Sequence, residues 1–107
     1  MKLIIAIINY DDAKSVIESL TKNGFSSTRL STTGGFLLAG NVTLLIGVED
    51  KQVQEAIDII HEHSHSRKQL MPAITEMSHG FMPVMPVEVT VGGATIFVVD
   101  VERFERL

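Results

Sequence analysis

No cysteine occurs among the 107 residues, which excludes disulfides and thiolate metal centres and agrees with a reducing compartment such as the cytoplasm. Basic residues are also scarce. Nine Lys and Arg stand against thirteen Asp and Glu, a net charge of −4, so the broad positive surface that holds a nucleic-acid polymer is missing. No apolar run approaches the roughly 18 to 20 residues that cross a bilayer, which argues against membrane insertion. The opening MKLIIAIINY lacks the small-residue cleavage site of a signal peptide. Neither Gly-x-Gly-x-x-Gly nor Gly-x-x-x-x-Gly-Lys-Ser/Thr occurs, so a P-loop enzyme is not supported. No Ser or Thr has a base at a diagnostic spacing, and Glu55, Asp58 and Glu62 read as solvated helix surface. The chain does not look like an enzyme.

What is present is a globular balance: 45% hydrophobic and 21% charged residues, a length suited to one domain over 1–107. The β-branched run KLIIAIIN (2–9) predicts a buried central strand. A helix follows, with Asp11 or Asp12 as N-cap, Ala13, Val16, Ile17 and Leu20 at helical spacing, and Asn23-Gly24 as the stop. Residues 25–31 and 41–48 read as neighbouring antiparallel strands. Asp50 is the expected cap of a second helix carrying Val53, Ala56, Ile57 and Ile60. From His63 to about Pro86 periodicity disappears and a long loop is expected, conformation open. Val87, Val89 and Val91 then alternate inward before a Gly92-Gly93 turn and a final strand, predicting a terminal hairpin. The order is that of an α+β, ferredoxin-like βαββαβ fold with an added C-terminal strand. Its two helices cover one sheet face. The other face, rich in Val and Ile, predicts a cyclic homo-oligomer.

Residues 32–41, TTGGFLLAGN, lie between the second and third strands. They offer backbone freedom at Gly34, Gly35 and Gly40, hydroxyls on Thr32, Thr33 and nearby Thr28, the ring of Phe36, and the Asn41 amide. An amide that donates and accepts can pair with adenine while a ring packs on the base. The same residues also suit a plain turn. His61, His63, His65 and His79 fix no third metal ligand by spacing, so no metal or cofactor is expected. Met71, Met77, Met82 and Met85 read as adaptable packing.

Four stretches carry a resemblance: MKLIIAI, TRLSTTGGFLLAGNVTLLIGVED, RKQLMPAITEM and PVEVTVGGATIFVV. Together they make the chain similar, over essentially its full length, to the PII-like cyclic di-AMP receptors of Gram-positive bacteria, the PstA or DarA type. The resemblance implies a ferredoxin-like homotrimer with cyclic di-AMP in clefts between subunits, no catalytic turnover, loop rearrangement on binding, and an unidentified protein target. Carried over residue by residue, Asn41 addresses an adenine, Thr28, Gly35, Phe36, Leu37 and Gly47 line the pocket, and Phe97 contributes from the last strand.

Three departures stand out. Ser26 occupies a position where the family usually has a basic residue beside the ligand phosphate. Arg106 replaces a usual Gln and is the candidate to compensate. The segment SHGFMPVMPVEV replaces a longer one containing Gly and Tyr. The alternative implied is a trimeric partner-regulating protein that has lost or changed its nucleotide ligand.

Overall fold

The computed structural model describes residues 1–30, 40–72 and 86–107. Gly34, Gly35, Phe36 and Leu37, with Thr32, Thr33, His79, Met77, Met82 and Met85, lie outside the described residues.

Strand β1 (Lys2–Asn9) is central because its aliphatic residues serve both sheet faces. Ile4, Ala6 and Ile8 are buried towards the helices, while Leu3, Ile5 and Ile7 point the other way and remain half-buried. β2 (Ser27–Leu30), β3 (Asn41–Val48) and β6 (Ala94–Asp100) complete an antiparallel sheet in the order β2-β3-β1-β6. Helices α1 (Tyr10–Lys22) and α2 (Val53–Ser64) share its one covered face. Val16 and Leu20 of α1 and Ala56 and Ile60 of α2 form the core with Ile4, Leu44 and Ile46. Two helices over antiparallel strands make this an α+β fold consistent with the ferredoxin-like arrangement. Among the described residues no helix is long and apolar enough to cross a membrane.

The helix ends differ in detail from expectation. Asn9, not Asp11 or Asp12, caps α1, its side chain accepting from the Asp11 N–H at 2.9 Å. Asp11 and Asp12 occupy the first turn instead, where their charge suits the helix dipole. Asn23 and Gly24 (φ +84) stop the helix as expected. Asp50 is not the cap of α2: Gln52 precedes that helix without a side-chain cap bond, and Glu49 caps the single 3-10 turn Asp50–Gln52 in a capping box with Gln52.

The larger correction concerns the second half. Residues expected in a long loop form strand β4 (Arg67–Pro72), which pairs with β5 (Pro86–Val91) in a separate two-stranded arm. The terminal hairpin of β5 with β6 does not form, and Val87 is exposed. No strand is appended to a completed βαββαβ unit: β6 is itself the fourth sheet strand, and the arm is inserted between α2 and β6. Gly92 (φ +77) and Gly93 (φ +88) have the positive φ of a hairpin turn but cross from one sheet to the other.

A two-stranded ribbon is marginal alone, so its root is what holds it. There Arg67 donates from Nη2 to Asp12 Oδ1 at 2.9 Å and from Nη1 to Asp12 Oδ2 at 3.3 Å. The Asp12 side chain is 8% exposed and Arg67 is 40% exposed. The pair holds the Arg67 guanidinium above its ordinary pKa, chiefly by hydrogen bonding. Gly92 passes over this pair so closely that a Cβ there would stand 2.5 Å from Arg67 Nη1, while the Gly93 N–H donates to the Ser64 carbonyl at the end of α2.

Candidate ligand-binding site

The sheet face without helices carries the odd-numbered residues of β1 and β3, and at one end of it lies a cavity of about 650 Å³. Its floor is Leu3, Leu45 and Gly47; its walls are the α1–β2 connection with Ser26, the β2 residue Thr28, and Gln52 before α2. Its far side is the segment after β6, from which Val101, Phe104 and Arg106 line it. Gly47 keeps the floor open: a Cβ on it would stand 3.1 Å from Met1 Cε, another lining side chain.

Electrostatically this cavity is one-sided. Arg106 is the single charged side chain among the described residues lining it, no carboxylate lines it, and none of the described carboxylates forms an ion pair with Arg106. In a chain with an acidic excess, that lining is electrostatically better suited to an anion than to a cation. A second cavity, about 580 Å³, between α1 and β2 is lined by Asp11 and Glu18 as well as Lys14 and Arg29, and so has no comparable preference. There Arg29 lies 5.2 Å from the Tyr10 ring centroid.

Of the expected site residues, Thr28, Gly47 and Arg106 are brought into the one cavity, together with Ser26. Gly35, Phe36 and Leu37 lie outside the described residues. Asn41 is opposite Asn9 at the other end of β3, about 20 Å along the strand from Gly47, and does not line the cavity. Phe97 is opposite Ile5, which is opposite Leu45, which is opposite Thr28. This row puts Phe97 on the same open face, three strands and about 15 Å from Thr28. Phe97 is 53% exposed, and Leu30 and Val99 on that face are also exposed.

Among the described residues the histidines form no metal-binding cluster. His61 and His65 have ring centroids 6.3 Å apart, edge to face, and the described residues contain no group of three metal-ligating side chains. His63, expected at the start of the long loop, lies in α2, and its Nδ1 is 2.9 Å from Ser15 Oγ, a link between α1 and α2 across 48 residues. Neither cavity includes these two residues. Phe104 was not legible as a lining residue, because nothing local in VERFERL says where the segment after β6 turns.

A family model described as "Cyclic-di-AMP receptor" matches residues 1–107, the whole chain. A crystal structure described as a functionally unknown protein from Pediococcus pentosaceus is similar at 40% identity, covering 99% of this chain and 96% of that one, with a TM-score of 0.77.

Proposed function

The chain belongs to the cyclic-di-AMP receptor family, and from that membership we propose that it binds cyclic di-AMP, does not turn it over, and reports the bound state to a protein target in the cytoplasm. The observation that carries this reading is the cavity of Thr28, Gly47 and Arg106: apolar surface for a base and, among the described residues, one arginine for a phosphate and no opposing carboxylate. Arg106 supplies the charge that Ser26 cannot. A guanidinium on a phosphate is a charge-assisted contact of about 1.5–3 kcal/mol, so Arg106→Ala lowers affinity about 10- to 150-fold.

The site is completed by a second copy. One subunit keeps Asn41 and Phe97 away from Arg106, and all three can meet one dinucleotide when the open sheet face of one copy lies against its neighbour. Repeating that contact around a three-fold axis gives a closed homotrimer with three clefts and covers the exposed Leu30, Phe97 and Val99. Asn41 then reads an adenine through its amide, with Gly35, Phe36 and Leu37 beside it. Signalling follows as a population shift: contacts made only in the bound state favour one arrangement of residues 32–41 and 65–86, which present a changed surface to the target. One observation favours a second reading, a trimeric partner-regulating protein with a lost or changed ligand: Ser26 stands at the cavity wall without a charge.

Isothermal titration calorimetry with cyclic di-AMP, and cyclic di-GMP and ATP as controls, separates the two. Selective binding at one ligand per subunit, abolished by Asn41→Ala, supports the receptor. Absence of heat at high concentration from a protein that still elutes as a trimer supports the second reading.

A further inference from the structure

Strand β6 ends at Asp100, yet the chain does not leave the sheet: the Val101 N–H still donates to the Met1 carbonyl at 3.2 Å. After a bend at Glu102 the segment runs without regular structure, and its side chains divide by alternation. Arg103 and Glu105 pair with each other, Arg103 Nε donating to Glu105 Oε1 at 3.1 Å, and neither lines the cavity. Phe104 and Arg106 line it. Two residues apart on one side of an extended chain, they stand about 7 Å apart, comparable with the separation of a nucleobase from the phosphate across its ribose. Phe104 is 60% exposed although it lines the same cavity as apolar Leu3 and Leu45. A ring left that open beside an apolar cavity keeps surface for a ligand.

We propose that residues 101–107 form a ligand-binding strap in which Phe104 is a base-stacking platform and Arg106 the phosphate anchor beside it. This deepens the receptor reading and rests on it. The strap discriminates for a purine joined to a phosphate, and selects against inorganic phosphate or a free base, each of which engages one of its two side chains. Stacking is tolerant of base identity, so Phe104 contributes affinity and leaves the choice between adenine and guanine to hydrogen bonding elsewhere in the cleft.

The chain has no tryptophan, which makes the test direct. Phe104→Trp places a single indole in the strap, and a stacked adenine quenches its emission. Phe104→Leu keeps apolar volume but removes the ring face. The expected results are saturable quenching of Phe104→Trp by cyclic di-AMP, and affinity lowered about 5- to 150-fold in Phe104→Leu by calorimetry. Elution volume and melting temperature are followed to register any change in folding or assembly. If the unaltered protein binds but the tryptophan emission does not change at saturation, the strap is overturned and the receptor reading stands, even where Phe104→Leu binds weakly through altered subunit packing. If Phe104→Leu binds within twofold of the unaltered protein, stacking is likewise overturned. If the unaltered protein gives no heat with cyclic di-AMP, the receptor reading falls and the strap with it.

Discussion

Removing Arg67 should hurt the fold more than removing its partner Asp12, although both substitutions delete the same ion pair. The reason is where each charge is left. In Arg67→Ala the Asp12 carboxylate stays buried with its two guanidinium hydrogen bonds gone. A fully buried orphan of this kind costs about 3–5 kcal/mol. Arg67 is 40% exposed, so water enters the vacated space, and Asp12 sits in the first turn of α1, where the helix dipole still supports it. We therefore expect a loss of about 2–3 kcal/mol. In Asp12→Ala the guanidinium turns to solvent or keeps the His65 carbonyl, 3.3 Å from Nη1, and the loss is about 1–2 kcal/mol. The double variant should lose less than the sum of the two, with a coupling of about 1.5 kcal/mol. Urea unfolding followed by circular dichroism, at one fixed protomer concentration, measures all three. Amide exchange in β4 and β5 should quicken in Arg67→Ala first, since the pair holds the root of the arm. Equal losses in the two single variants, or strict additivity in the double, would refute the reasoning by making Asp12–Arg67 an ordinary surface pair.

Ser26→Arg in an Arg106→Gln background should restore cyclic di-AMP affinity lost in Arg106→Gln alone, since both positions border one cavity; calorimetry reads the rescue, and its failure would separate the two positions functionally. Gly47→Val should fill the cavity floor and press on Met1, lowering ligand affinity at least tenfold while leaving the melting temperature within a few degrees, as Gly47 is exposed and its φ is ordinary. The Met1 ammonium, 3.0 Å from Asp50, holds that carboxyl below its usual value, first by hydrogen bonding and then by charge. With the folded value lowered, the unfolded chain binds its proton first on acidification, so this stabilisation is complete above about pH 3.9 and is lost as pH falls through the lowered value. Asp50→Asn should therefore show a smaller fall in melting temperature between about pH 5 and pH 3 than the unaltered protein.

The parts of the fold legible in the sequence are those whose periodicity and partners agree. KLIIAIIN could be placed as a central strand because both its faces are aliphatic, and the stripe Ala13, Val16, Leu20 marks the buried side of α1 directly. RKQLMP shows no such pattern, since among the described residues β4 pairs with β5 alone, and Arg67, Lys68, Gln69 and Leu70 are exposed. Gly92-Gly93 misled for a different reason: both residues do have the positive φ that a tight hairpin needs, but the tertiary contacts of Gly93 with Ser64 and of Gly92 with Arg67 and Asp12 send the following strand to β1. Asn9 lost its role as cap to two acidic neighbours in the sequence reading because N-Y-D-D offers three acceptable caps within four residues. In the site, Thr28, Gly47 and Arg106 came from likeness to a family, and only folding showed that they share a cavity. Phe104 was invisible because the residues with which it lines the cavity, Leu3 and Leu45 among them, are remote in the chain.

The pairing of β1 with β6 also sets a timetable. Lys2 lies opposite Asp100 and Ile8 opposite Ala94, so the second neighbour of the central strand is made about ninety residues after it. At ribosomal speeds of about 5–20 residues per second, β1 waits roughly 5–20 seconds with one long edge unpaired. During that interval the nascent chain presents the unpaired backbone edge of β1 beside the apolar face of Leu3, Ile5 and Ile7, the kind that chaperones capture and that other unfinished chains can pair with. Chains interrupted before residue 94 lack both the sheet's closing strand and the residues beyond it that wall the cavity. Interrupted translation thus leaves fragments with an unpaired strand edge and without the far side of the cavity.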